Sequence, residues 1–294
     1  MIEADAFVDQ SDDRGLAPGF AGDICVWDID KTYLDTRFST WRGLVRIPIE
    51  LAIDKVALPG SVPLLRAIRR GRGSEPVPLY FISGSPKQLR RSIERKMTLD
   101  GVGFDGLTFK DQWGLARARR FADIRRQVGY KLTALLSYAK RFEDSARWWF
   151  FGDDVEQDAE IFQLFGRVLA GLRDRALRET LERQAVHPLD REAILAQASR
   201  LPVRDADPVE RIFILAHRRP DAEPDDARIA IMPTFLSGAL ELAHDGLIEA
   251  SAVAAVAKDL RNRGWAERDL EASVRSAERR CRLSPELRAQ ARPT

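Results

Sequence analysis

The sequence predicts an α/β fold, a parallel sheet flanked by helices and followed by a helical C-terminal region. Two observations carry that expectation. Short β-branched and aromatic runs alternate with helical stretches up to about residue 171, which is the pattern of a doubly wound sheet. Beyond that point the apolar spacing reads as helical throughout. The expected organisation is an N-terminal extension over 1–20, an α/β domain over 21–171 and a helical region over 172–294.

The first strand is the run 24–27, Ile-Cys-Val-Trp, rich in residue types that favour a buried strand. Asp28 and Asp30 follow it, at the strand end where open α/β sheets keep their chemistry. Strand side chains alternate faces, so both carboxylates project one way and Ile29 the other. Two carboxylates that close call for a cation or a shared proton, and hard oxygen ligands suit magnesium. A second run, 77–82, ends in Ser83, Gly84, Ser85 and Pro86. It reads as strand, turn and helix, with Pro86 in the first helical turn and Ser83 facing an anion at the helix's positive end. Lys131 opens an amphipathic stretch that leads into a third run, 148–151, Trp-Trp-Phe-Phe. That run gives way to Gly152, Asp153, Asp154 and Asp158, a second acidic cluster at a strand end. Lys110 competes with Lys131 as the site lysine. Lys131 is preferred because its helix leads directly into the third run, whereas Lys110 reads as a surface charge.

After residue 171, segments 173–184, 191–200, 208–217, 229–244, 250–263 and 270–281 read as amphipathic helices. Pro220, Pro224, Asp225 and Asp226 mark an exposed linker. A packing role is expected for this half, and His187, His217 and His244 fall within it as structural or surface residues.

With 294 residues, 45% of them hydrophobic, the chain can bury a full core. Asp5, Asp9, Asp12 and Asp13 stand where a signal peptide would be basic and then apolar, and no uncharged run reaches the length of a membrane span. Cys25 and Cys281 make neither a metal spacing nor a disulfide framework, so a cytoplasmic setting is expected. The net charge of +2 makes the basic clusters local. They are Arg66, Arg69, Arg70 and Arg72; Lys87, Arg90, Arg91, Arg95 and Lys96; and Arg117, Arg119, Arg120, Arg125 and Arg126. Solvated helix faces explain them by default. The functional alternative is a positive surface that collects an anionic membrane or polyanion. No aromatic platform or known motif accompanies them, so no nucleic acid is expected.

Taken together, Asp28-Ile29-Asp30-Lys31-Thr32, Ser83, Lys131 and Gly152-Asp153-Asp154 with Asp158 resemble the four motifs of the haloacid dehalogenase (HAD) superfamily, in that family's order. Phe81 to Pro86 and the Gly-Asp, four residues, Asp spacing from Gly152 are similar to the actin-patch type of phosphatidate phosphatase catalytic domain. Lys31 departs from that type, which more often has a further Asp there, and its additional N-terminal region is missing. The resemblance implies a HAD-like, Rossmann-like sheet and a magnesium-dependent phosphomonoester hydrolase acting through an aspartyl-phosphate. It implies Asp28 as nucleophile, Asp30 as general acid and base, Ser83 and Lys131 as phosphate-binding groups, and Asp28, Asp30 (through its carbonyl) and Asp153 as metal ligands. Thr32, Asp154 and Asp158 would support them. Fifty residues lie between Thr32 and Ser83 and forty-seven between Ser83 and Lys131, which leaves no room for a large inserted cap. A bulky phosphorylated substrate is therefore expected, phosphatidate at an anionic membrane surface among the choices. The alternative is a non-catalytic HAD-like module that binds phosphate or membrane.

Overall fold

The computed structural model describes residues 8–12, 20–35, 56–124, 126–218 and 223–292. Its centre is one seven-stranded sheet built from β1 (Val8–Asp12), β2 (Asp23–Asp28), β3 (Leu79–Pro86), β4 (Gly106–Lys110), β5 (Arg147–Asp153), β6 (Val209–Leu215) and β7 (Ile229–Met232). The spatial order is β1-β4-β3-β2-β5-β6-β7. All neighbours are parallel except β1, which runs antiparallel to β4. The central β2 thus lies between β3 and β5, pairing Trp27 with both Phe81 and Phe151. Strands covered on both faces read as continuous apolar runs, which is why β2 and β5 are legible in the sequence.

Among the described residues, the eleven α-helices are α1 (Ser61–Arg70), α2 (Arg90–Leu99), α3 (Gln112–Arg117), α4 (Val128–Ala139), α5 (Asp158–Leu169), α6 (Asp174–Arg183), α7 (Pro188–Arg200), α8 (Phe235–His244), α9 (Ser251–Asn262), α10 (Glu267–Glu278) and α11 (Pro285–Gln290). They divide over the two faces of the sheet. Cys25, Trp27 and Ile29 join one core with residues of α1, α2 and α8 to α11. Ile24 and Val26 join the other with α4 to α7. Trp27 stacks on Phe151 with ring centroids 4.1 Å apart, and Phe151 stacks on Phe213, so rings run across three strands. By alternation, Asp28 falls on the face of Ile24 and Val26, toward α4.

Three expectations need correction. The stretch 208–217 is not a helix but the strand β6, and 229–244 splits into β7 and α8. The run Val209–Leu215 is short and apolar, and periodicity alone does not separate such a strand from a buried helical turn. The C-terminal segment is therefore not purely helical, and β6 pairs with β5 along its whole length. Residues 8–12 of the expected extension form the edge strand β1, whose polar sequence Val-Asp-Gln-Ser-Asp carries no strand signal. Finally, β3 continues through Ser83 to Pro86, and a 3₁₀ turn, Lys87–Leu89, precedes α2. Ser83 therefore lies inside a strand and not at a helix N-terminus. Residues 1–7 and 13–19 of the extension, Pro220 of the expected linker and Arg125 lie outside the described residues, while Pro224 and Asp225 are exposed as expected of a linker.

Between Ser83 and Lys131 the chain forms α2, β4, α3 and a second 3₁₀ turn, Phe121–Ile124, with no separate inserted module among the described residues. Part of the earlier gap, residues 36–55, lies outside the described residues.

Candidate active site

Three neighbouring strand ends and the first turns of two helices bring the sequence-predicted residues together. Asp28 ends β2, Asp153 ends β5, and Asp158 begins α5 after a tight turn. Lys131 lies in the first turn of α4 and is wholly buried. Its Nζ donates to Asp28 Oδ1 at 2.8 Å, to Glu156 Oε2 at 2.9 Å and to Asp158 Oδ1. Asp158 also accepts the Asp153 amide at 3.3 Å. The turn between them is shaped by Asp153 Oδ1, which accepts from the amides of Val155 and, at 2.9 Å, Glu156. Gly152 is required here: a Cβ on it would come within 2.5 Å of Asp158 Cβ.

Asp30 takes a different environment. Ser83 Oγ donates to its Oδ2 at 2.7 Å, and Ser85 Oγ donates at 2.9 and 3.1 Å to its two oxygens. The register of β3 against β4 shifts between Ser83 and Pro86. A bulge of this kind re-aims side chains beside a site, and here Ser83 and Ser85 both reach Asp30. Tyr130 Oη donates to the Ser83 carbonyl at 2.6 Å, and Gln112 Nε2 donates to the Gly84 carbonyl at 2.7 Å, so the bulge is held from α4 and α3.

Charge is concentrated beyond what one ammonium balances. Asp28, Asp158 and Glu156 all touch Lys131, and Asp153 adjoins them. Burial raises the Asp28 carboxyl well above its usual range, and the charges of Asp158, Glu156 and Asp30 add to that against Lys131. Asp158 is pushed up to about 7, again chiefly by burial, with Lys131 opposing. Burial pulls Lys131 down, but Asp158, Asp28 and Glu156 outweigh it and hold the ammonium well above the usual lysine value. Burial opposes ionisation of Glu156, and Lys131 overcomes it, so Glu156 stays below the normal carboxylate range. A lysine this firmly charged neutralises its neighbours only in part, and the balance falls to a proton or a cation.

The donor set fits a cation. Asp28, Asp153 and Asp158 each offer a carboxylate oxygen within 4.8 Å of the others. Asp28 Oδ2 and Asp153 Oδ2 are buried and have no hydrogen-bond partner among the described residues. Buried carboxylate oxygens are normally satisfied, and two left without donors in one acidic cluster suit oxygen coordination of a hard divalent ion. No protein family, curated protein or solved structure matches this chain. The site rests on its own geometry.

The other candidates make no direct hydrogen bond to Lys131 among the described residues. Asp154 turns away, accepting from the amides of His217 at 2.8 Å and Arg218 at 2.7 Å. Thr32 is buried, and its Oγ1 has no hydrogen-bond partner among the described residues. Lys110 is not the surface charge expected of it. It is buried, its Nζ donates to the Arg126 carbonyl, and it lies 5.5 Å from the centre of the Tyr130 ring. Burial lowers it to about 8.

Glu156, Ser85 and His217 are contributors that sequence reasoning did not assign. Glu156 stood in the acidic run, but only the Asp153 turn aims it at Lys131. Ser85 shares strand parity with Ser83, a signal that was present. His217, placed in a helix by the sequence, lies just past β6, and its Nε2 is 2.7 Å from the Lys31 carbonyl. That contact braces Lys31, whose φ of 63° is in the left-handed region. Many of the basic residues are engaged internally: Arg69 with Asp105, Arg90 with Asp9, Lys87 with Asp111, and Arg120 with Asp123 and Asp190. No helix among the described residues is long and apolar enough to cross a membrane.

Proposed function

We propose that the protein is a magnesium-dependent phosphomonoester hydrolase of the HAD type. The observation that carries this is the single constellation at the ends of β2 and β5: Lys131 on one oxygen of Asp28, with the other oxygens of Asp28 and Asp153 buried and unbonded. The strand order supports the reading, because it sets the Asp28 strand between the strands that bear Ser83 and Asp153.

Phosphoryl transfer requires mainly an in-line nucleophile and neutralisation of the equatorial oxygens. Asp28 attacks phosphorus through a carboxylate oxygen, the ester P–O bond breaks, and Asp30 gives a proton to the leaving oxygen. Asp30 then takes a proton from water, which attacks the aspartyl-phosphate and frees Asp28 and phosphate. Ser83 and Ser85 orient Asp30 in both steps. Lys131 offsets charge on Asp28 and on the phosphoryl group. Asp28, Asp153 and Asp158 would hold magnesium, which when bound neutralises charge on the transferring phosphoryl oxygens.

The substrate class is a phosphomonoester with an accessible phosphate. Phosphatidate belongs to it through the motif resemblance. The internal pairing of Arg69, Arg90 and Arg120 leaves Arg91, Arg95, Arg117 and Arg119 as exposed members of the basic clusters near Ser83 and Lys131. A panel of soluble phosphomonoesters and phosphatidate vesicles, assayed with magnesium and with chelator, tests the reading. Magnesium-dependent release of phosphate, with a phosphoenzyme that Asp28→Asn cannot form, is expected. Hydrolysis by Asp28→Asn at the wild-type rate would overturn it.

A further inference from the structure

The three carboxylates on Lys131 differ in exposure. Asp28 and Asp158 side chains are sealed at 1% and 0%, while Glu156 keeps 15%. Glu156 therefore covers the side of the ammonium that faces solvent. An ammonium has three N–H donors, and Asp28, Asp158 and Glu156 account for all three. A further oxygen reaches Nζ only by displacing one of them. Asp28 and Asp158 are anchored in a strand and a helix, whereas Glu156 belongs to the turn that joins β5 to α5. Its carboxylate also presents what a phosphoryl oxygen presents, a charged acceptor for an ammonium N–H.

We propose that Glu156 takes the place at Lys131 Nζ that a substrate phosphoryl oxygen would take, and that it swings outward when phosphate binds. The proposal rests on the phosphatase reading and assigns its phosphate subsite. Anion affinity is then set by competition with an internal carboxylate. A phosphate dianion wins that exchange, while a carboxylate monoanion has no advantage over the group already in place. Glu156 thus selects phosphate esters over carboxylic acids of similar shape.

The test uses the full chain with magnesium and inorganic phosphate as probe, read by calorimetry, alongside KM for a soluble aryl phosphate. Glu156→Gln replaces the charge with a weaker acceptor. Glu156→Asp keeps the charge but shortens the reach to Lys131 by one methylene. Glu160→Gln, at an exposed position on α5, removes the same charge without touching Lys131. Both Glu156 variants are expected to bind phosphate about tenfold more tightly than wild type and to lower KM, with Glu160→Gln unchanged. Unchanged or weaker phosphate binding in both Glu156 variants overturns the proposal. So does tighter binding in Glu156→Gln alone, which is a charge effect without displacement. Melting curves establish that each variant is folded; Glu156→Asp carries the test alone if Glu156→Gln is not, and if Glu156→Asp is not, Glu156→Gln overturns the proposal by binding phosphate no more tightly than wild type. Failure of the wild type to hydrolyse any phosphomonoester sinks the phosphatase reading separately, because the displacement is read from phosphate binding.

Discussion

Lys131 is the residue on which the site's stability and chemistry both turn. Lys131→Met leaves Asp28, Asp158 and Glu156 without their ammonium, and breaking a buried charge network of this kind costs on the order of 3–5 kcal/mol. Denaturant titration at pH 8 in chelator is expected to show that loss, and magnesium to restore part of it. Asp28→Asn removes one of the crowded charges and should fold at least as stably as wild type while losing turnover by a hundredfold or more, roughly the effect of deleting one pre-aimed group. Asp153→Ala should weaken the magnesium-induced rise in melting temperature, since it deletes a carboxylate whose second oxygen has no other partner. Lys110 makes a pH prediction. Burial lowers its pKa to about 8 from 10.5, so below pH 8 both folded and unfolded chains carry its charge. Between about 8 and 10.5 only the unfolded chain does, and this group's contribution to stability rises across that window. Lys110→Met should abolish that rise, a difference on the order of 3 kcal/mol at most, measured as the gap between wild-type and variant unfolding free energies from pH 7.5 to 10.5. Among the residues, strand alternation made Asp28 and Asp30 legible. Glu156 was not, because its aim is set by a turn that exists only once Asp153 accepts two amides.

At the scale of elements, two short connections place the groups. The turn from β5 into α5 seats Asp158 only because residue 152 has no Cβ. Gly152→Ala is expected to displace Asp158, weaken magnesium binding and cut turnover while leaving far-ultraviolet circular dichroism unchanged. Retention of wild-type magnesium affinity would show that the turn yields without moving the carboxylate. Arg90 binds α2 to the edge strand β1 through Asp9 and the Ser11 hydroxyl. Its reversal to Glu should loosen that edge, read as faster exchange of β1 amides, before it changes any surface attraction. The strands buried on both faces announced themselves as apolar runs. β6 did not, because seven residues with Glu210 and Arg211 near the start fit either period. β7 and α8 merge in the sequence because 229–244 is mostly apolar, although Pro233 and Thr234 turn the chain between them; the Thr234 side chain accepts the Leu236 amide and caps α8.

For the molecule as a whole, the sheet is one body from β1 to β7. The boundary expected near 171 separates β5 from β6, which pair from Trp148 to Asp153. It also separates Asp154 from the two amides that hold it, those of His217 and Arg218. A chain ending at 171 is therefore expected to expose the β5 edge beside Phe151 and to aggregate or fail to bind magnesium. A soluble, magnesium-binding fragment would show that the first five strands suffice. The alternation of strands and helices made the architecture legible from β2 to β5, but not the polar edge strand β1. The closing strands were hidden because pairing across a sheet leaves little local trace in a short apolar segment.

The position of β2 has a consequence for how the protein is made. Asp28 is translated early, yet its strand lies between β3 and β5, and the latter ends only at Asp153. A nascent chain on the ribosome holds Asp28 long before it holds Lys131 or the second acidic cluster. A product that ends before Asp158 lacks part of the second acidic cluster, so under the proposed function any activity in a cell lysate comes from longer chains only. Under the proposed function, a reporter of folding yield is expected to show activity only after Asp158 has left the exit tunnel.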